Sequence, residues 1–368
     1  NRAKYRRHYS WPENPYRFLK GPRPGQCPCC CTARRNVRPP RPRDPMSGGA
    51  RLLGDIGATN ARFALYGEDG RAARTRVLPV DGFPTLRLAI QSYLTVERVD
   101  QPLAAAALAV ASPITGDAVT MTNHPWSFSI SALQRDLRIG RLAVINDFTA
   151  QAMAVRHLTA DERAVIGGGA PVADTPIAVI GPGTGLGVSG LIPARGEWVA
   201  LAGEGGHATI GPVDDKESDV LSCLRRRFTH VSGERVLSGQ GLVNLYHALA
   251  EIEGVPAESY TPAQITDRDM GEREPLCRAA VAMFCAMLGS MAGDLALTLG
   301  ARGGVYIAGG IVPRLGARFA ESAFRERFEN KGRFRTYLAA IPSYVVTAAV
   351  PAFLGLAEVI GREDRQST

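Results

Sequence analysis

Apolar and polar positions follow regular periods only after about residue 50. Strand-like runs come first, at 51–56, 61–66 and 75–79. Residues 85–96 change to helical spacing, with Leu86, Leu88, Ala89, Ile90, Tyr93 and Leu94 as the apolar set. The nearly continuous apolar run at 103–111 suits a strand covered on both faces. A short strand is expected at 118–122, and a helix at 130–137 with Ser129 as N-cap. Residues 142–145 read as another buried strand, ending at Asn146-Asp147, with a helix over 148–157.

A Gly/Pro-rich stretch at 167–176 separates this block from a second start. Strand 177–180, glycine turn 181–187 and strands 188–192 and 198–201 repeat the opening order of strand, turn, strand. The pattern predicts two related α/β lobes. Helices are expected at 219–227, 241–250, Pro275–Leu299, 315–328 and 352–360, with strands at 303–308 and 344–349.

The first 45 residues break the pattern. They hold 12 Lys/Arg, 2 Asp/Glu and nine of the 25 prolines, without apolar periodicity. Such a segment cannot bury enough surface to offset its ordering entropy, so it reads as a disordered basic tail foreign to the rest. The expectation is that Met46 is the natural start. Cys27, Cys29, Cys30 and Cys31 form one cluster with no second Cys/His pair at zinc-finger spacing.

The tail also accounts for the charge. The whole chain carries +8 and its first 45 residues +10, which leaves −2 for the folded part and removes the electrostatic case for nucleic acid. Scattered Cys223, Cys277 and Cys285 suit a reduced, cytoplasmic protein. The longest uncharged apolar run, 279–293, is shorter than the ~20 residues of a spanning helix and reads as a buried one. No signal-peptide pattern and no membrane partner are expected.

Three glycine turns follow strands: 54–60, 181–187 and Gly309-Gly310. In the first, Gly54 and Gly57 open the backbone to an anion, Thr59 adds a hydroxyl, and Asp55 can hold a hydrated Mg²⁺. An ordinary hairpin turn uses the same residue types. The turns enter strands and lack Gly-Lys-Ser/Thr, which excludes a P-loop. Together they suggest a nucleotide in a cleft between two lobes. Asn146-Asp147, at a strand end, suits a proton acceptor or a helix cap. Glu204 and His207 flank two glycines, and Glu234 precedes a helix; surface positions explain each equally well. Asn123 and Trp126 suit a pocket wall or the core. The set is rich in groups that pair with sugar hydroxyls.

In order along the chain stand GDIGATNAR (54–62), SPITGD (112–117), MTNHPWSFS (121–129), INDFTA (145–150), GPGTGLG (181–187), GEGGH (203–207), ERVLSGQGLVNLY (234–246) and IAGGIVPR (307–314). With these motifs, residues 50–362 resemble the bacterial glucokinase family, the non-ROK group of the sugar kinase/Hsp70/actin superfamily. The resemblance implies a two-lobed ribonuclease H-like (actin-like ATPase) α/β fold with nucleotide and sugar in the interdomain cleft. The expected lobes are 46–157 plus 348–368, and 158–347.

It implies phosphorylation of D-glucose to glucose 6-phosphate by MgATP, the first step of glycolysis. Asp147 would be the general base, and Asn146, Asp147, Glu204, His207 and Glu234 would contact the sugar. Gly54, Asp55, Ile56, Gly57, Ala58, Thr59, Gly183, Thr184, Gly309 and Gly310 would contact ATP, with Asp55 holding Mg²⁺ through water. No structural zinc is expected, because the Cys-rich motif of ROK-type kinases is absent. A homodimer stays open, as do a hexokinase of broader sugar preference and a kinase-like sugar sensor. Family members commonly have Gly-Gly-Thr-Asn where this chain has Gly57-Ala58-Thr59-Asn60. Ala is the smallest replacement but disfavours positive φ, so activity is expected and the affinity for ATP stays open.

Overall fold

The structure is a computed structural model that describes residues 49–366. The cysteine cluster of the tail and Met46 lie outside the described residues. Two sheets organise the fold. The first contains β1 (Ala50–Ile56), β2 (Asn60–Tyr66), β3 (Ala72–Pro79), β4 (Leu103–Val110) and, after a small β5–β6 ribbon (Ala118–Thr120 and Ser127–Ser129), β7 (Arg141–Asn146). Its order is β3-β2-β1-β4-β7; β1 runs antiparallel to β2 and parallel to β4.

The second sheet contains β8 (Arg163–Gly167), β9 (Ile177–Pro182), β10 (Leu186–Ala194), β11 (Glu197–Leu201), β12 (Val305–Ile307) and β13 (Ser343–Val346). Its order is β11-β10-β9-β12-β13-β8. From β11 to β13 this repeats the order and strand directions of the first sheet. The repeat expected from strand, turn, strand thus extends over five strands. This is the two-lobed, actin-like α/β architecture.

Alternation along β1 explains how each face is covered. Leu52 and Ile56 join Phe63, Leu108 and Tyr93 of α1 (Leu86–Val96) in one core. Leu53 joins Ala105, Ala107 and Ala109 on the other face. The helices after the sheets follow in order: α2 (Ile130–Asp136), capped by Ser129; α3 (Asp147–Ala154); α4 (Asp215–Arg227); and α5 (Gly239–Glu253). Short α6 (Pro262–Thr266) and α7 (Arg268–Arg273) lead into α8 (Pro275–Leu299).

Pro275 opens α8 in its first turn and Gly300, at φ +63, ends it, the expected punctuation for a helix. Its length and composition would suit a membrane span, yet 72% of the most apolar stretch is buried inside the fold. It is the core helix of the second lobe, packed on α5, α11 and β9.

Where one helix is expected at 315–328, the chain breaks into α9 (Ile311–Leu315), α10 (Ala317–Ala320) and α11 (Phe324–Glu329). Gly316 causes the first break, because φ +54 and ψ −130 lie far from helical values. After α12 (Arg335–Ala339), the last helix α13 (Ala352–Gln366) returns to the first sheet through Ala352, Phe353, Leu356 and Ile360. Helix α3 also bridges: Ala150 packs with α13, while Ala152 and Met153 pack on Val179 and Tyr306 of the second sheet. Strand β7 is half-buried along its length, not buried as its apolar sequence suggests, because it is the sheet's edge.

Candidate active site

The parallel register of β4 and β7 pairs Val110 with Asn146 and brings the chain after both strands to one place. There a cavity of about 800 Å³ gathers residues from all three glycine turns, the β7–α3 junction and the segments around 204–207 and 234. A smaller recess of about 290 Å³ beside Arg74 and Glu97 lies away from every turn.

Asn146 caps α3. Phe148 N–H and Thr149 N–H donate to its Oδ1 at 2.8 and 3.1 Å, and its Nδ2 donates to the Ser112 carbonyl at 3.4 Å. The cap does not exclude it from the site, since the residue also lines the cavity. Asp147 is the first residue of α3, and its Oδ1 accepts from Phe148 N–H at 2.9 Å. Burial pushes its carboxyl up to about 7; the charges of Asp55 and Glu204 add to the rise, and the Phe148 N–H opposes it.

The first turn is braced mainly by its own hairpin, with Val80 N–H donating to the Thr59 carbonyl at 3.1 Å from just beyond it. Gly57 N–H donates to the Asn60 carbonyl at 3.0 Å. Arg62, the register partner of Asp55, donates to its Oδ2 at 3.0 Å. Burial raises the Asp55 carboxyl, and Arg62 works against that rise. Asp55, Gly57 and Ala58 line the cavity; Gly54, Ile56 and Thr59 do not. Gly54 and Ile56 are paired on both sides within β1, so their backbone serves the sheet. An added Cβ on Gly54 would lie 2.6 Å from Leu108 Cδ2, so this glycine makes room for core packing and not for an anion. Ala58 is not among the residues with positive φ, so the strain expected from its side chain is absent.

The second turn is braced from outside its hairpin. Gly183 N–H donates to the Gly185 carbonyl at 2.8 Å, and Gly239 N–H donates to the Gly183 carbonyl at 2.9 Å. Leu186 N–H donates to Glu234 Oε2 at 2.9 Å. That same oxygen would lie 2.4 Å from a Cβ on Gly185. Glu234 is therefore built into the turn, in a 3₁₀ segment (Gly233–Arg235), and is not a loose surface acid. Gly183 and Thr184 line the cavity, as do Gly309 and Gly310. Gly309 is required as glycine: its φ is +81, and a Cβ would meet the Pro182 carbonyl at 2.3 Å.

Glu204 precedes a 3₁₀ turn (Gly205–His207) that His207 ends, and both present exposed side chains in the cavity wall. Thr122 and Asn123 also line it. Trp126 instead belongs to the core, where its Nε1 donates to the Phe83 carbonyl at 2.9 Å. Sequence reading missed Arg62, Ser112, Gln240 and Arg314 as cavity residues. All four stand inside the conspicuous motifs, which was the available signal; spacing alone did not say which side they face. The arrangement joins open backbone turns, suited to an anion, with a half-buried carboxyl and a hydroxyl-pairing set.

A family model described as Glucokinase matches residues 52–363. A glucokinase of Paramagnetospirillum magneticum is 52% identical over 310 residues, 84% of this chain and 97% of the relative. A glucokinase of Chromobacterium violaceum is 50% identical over 307 residues, 83% of this chain and 88% of the relative. Among solved structures, a glucokinase from an Antarctic psychrotroph superposes with TM-score 0.76 at 38% identity, over 85% of this chain and 99% of that one.

Proposed function

The chain belongs to the bacterial glucokinase family, and from that membership we propose that its cavity transfers the γ-phosphoryl group of ATP to the 6-hydroxyl of D-glucose. Neither a broader hexokinase nor a sugar sensor is favoured by the relatives. The observation that carries the reading is Asp147: a half-buried carboxyl, raised to about 7 by loss of solvent, in one cavity with the glycine turns. A base of that strength is half-ionised at neutral pH, where proton acceptance is most effective.

In the step, the glucose O6 attacks the γ-phosphorus, its proton passes to Asp147, and ADP leaves with the electrons of the broken P–O bond. Phosphoryl transfer has a loose transition state, so alignment and charge neutralisation contribute more than the base. Asn146, Glu204, His207 and Glu234 would hold the sugar hydroxyls. Backbone around Gly57, Gly183 and Gly310 would hold phosphate oxygens; an added Cβ at Gly183 or Gly310 meets nothing within 4 Å, so both leave room for them.

A divalent cation fits beside them. Asp55 and Asp147 are half-buried acids, and the charge of Asp55 raises the Asp147 carboxyl, which a cation would relieve. Asp55 would hold Mg²⁺ through water, and the ion would supply charge neutralisation for the phosphates. The smaller lobe, 46–157 plus 348–368, would close on 158–347 and exclude water, the competing acceptor. The buried free thiols of Cys223, Cys277 and Cys285 support a reducing cytoplasm.

A donor-by-acceptor matrix, read as nucleoside diphosphate release, tests the assignment. ATP with glucose is expected to give the highest kcat/KM. Absence of turnover with glucose for every donor would remove the proposal, and equal turnover of mannose or glucosamine would restore the broader hexokinase.

A further inference from the structure

We propose that Phe148 is a positioning residue for Asp147, its ring keyed into a socket left by Gly181 and Gly187 in the second hairpin. This rests on the reading of Asp147 as base and extends it to the residue next in the chain. Gly181 and Gly187 are register partners on β9 and β10. A Cβ on Gly187 would lie 1.8 Å from Phe148 Cδ2, and one on Gly181 would lie 2.6 Å from Cζ. Neither glycine has positive φ, so backbone conformation does not require glycine at either place. Their missing side chains make room for the ring. Gly183, between them in sequence, meets nothing and stays open to the cavity.

The backbone of Phe148 ties the ring to the site. Its N–H donates both to Asn146 Oδ1 and to Asp147 Oδ1, at 2.8 and 2.9 Å. A shift of the ring therefore moves the helix cap and the carboxylate together. The far side of α3 is fixed too, because Gly355 of α13 approaches so closely that a Cβ there would lie 2.0 Å from the Ala150 carbonyl. One hairpin thus carries the open phosphate turn at Gly183 and Thr184 and locates the base. The ring joins the packing of Ala152 and Met153 on the second sheet in setting the distance between donor and acceptor chemistry, and is the contact nearest Asp147 in the chain.

The test uses Phe148→Ala, Gly187→Ala and the double variant Gly187→Ala/Phe148→Ala, beside Asp147→Asn. Each single variant is expected to lower kcat about tenfold or more, because small misplacements near the reacting atoms are costly. Glucose Kd, measured by calorimetry, should stay within about threefold, separating positioning from sugar binding. The double variant should recover part of the lost kcat, since the added methyl fills space that the ring vacates. Well-folded single variants with kcat within about twofold of wild type would overturn the key, as would a double variant no better than the worse single. Should a single variant fail to fold, a folded double with recovered turnover still supports the key, and one without it still overturns it. Normal turnover in Asp147→Asn would instead remove the base reading and leave the socket standing.

Discussion

The β1–β2 and β9–β10 hairpins occupy matching places in the two sheets, but their turns are held differently. The first is held mostly within its own hairpin: Arg62 clamps Asp55 and Gly57 bonds to Asn60, with a backbone bond from Val80 N–H to the Thr59 carbonyl just beyond it. The second is held by Glu234 and Gly239, dozens of residues downstream. Its flank also carries Phe148, and Gly309 packs on Pro182. A repeated scaffold has thus acquired two kinds of support. Changes in the first turn should stay with the donor, while changes in the second should reach the sugar as well.

The largest expected effect falls on the residue between them. Asp147→Asn should lower kcat by about 10²- to 10⁴-fold while glucose still binds, read by steady-state kinetics and calorimetry. The same change should stabilise the unliganded protein at alkaline pH. A raised carboxyl pKa means that the folded state keeps a proton which the unfolded chain loses, so wild-type stability falls as pH rises from about 4 through about 7. Against Asn, the wild type should be weaker at pH 8, with the difference vanishing toward pH 4, measured by urea unfolding.

Next comes Glu234→Ala. A carboxylate bonded to a backbone N–H contributes about 1.5–3 kcal/mol, so KM should rise about tenfold or more for both ATP and glucose. A rise for glucose alone would break the contrast between the hairpins. Arg62→Ala should act on one side only. ATP and Mg²⁺ requirements should rise about three- to tenfold with glucose KM unchanged, because the Asp55 carboxyl loses an exposed partner. The smallest effect belongs to Ala58→Gly. With no positive φ to relieve, ATP KM should change by less than about twofold, and stability should fall by about 0.4–1 kcal/mol from added unfolded-state entropy.

What sequence reading reached follows the same divide. Local period and punctuation located β1, β2, β9, β10 and both turns, and Pro275 with Gly300 bounded α8. Short elements without a period were missed, among them β6, β8, α6, α7 and α12. The unbroken helix expected at 315–328 failed because one glycine took a non-helical conformation. Motif position assigned Gly54, Ile56 and Thr59 to the cavity, but sheet pairing uses the first two and Thr59 lies outside its wall. The place of Glu234 depends on a contact 48 residues away along the chain, and the socket for Phe148 on a cross-strand register. Neither leaves a periodic trace in the sequence.

The pH dependence of kcat/KM for glucose, measured at low ATP so that it reports the free enzyme, tests the central claim most directly. If Asp147 must be ionised, kcat/KM should rise tenfold per pH unit below about 7 and level off above it, with that limb missing in Asp147→Asn. A wild-type profile that is flat from pH 5 to 8 would contradict the account.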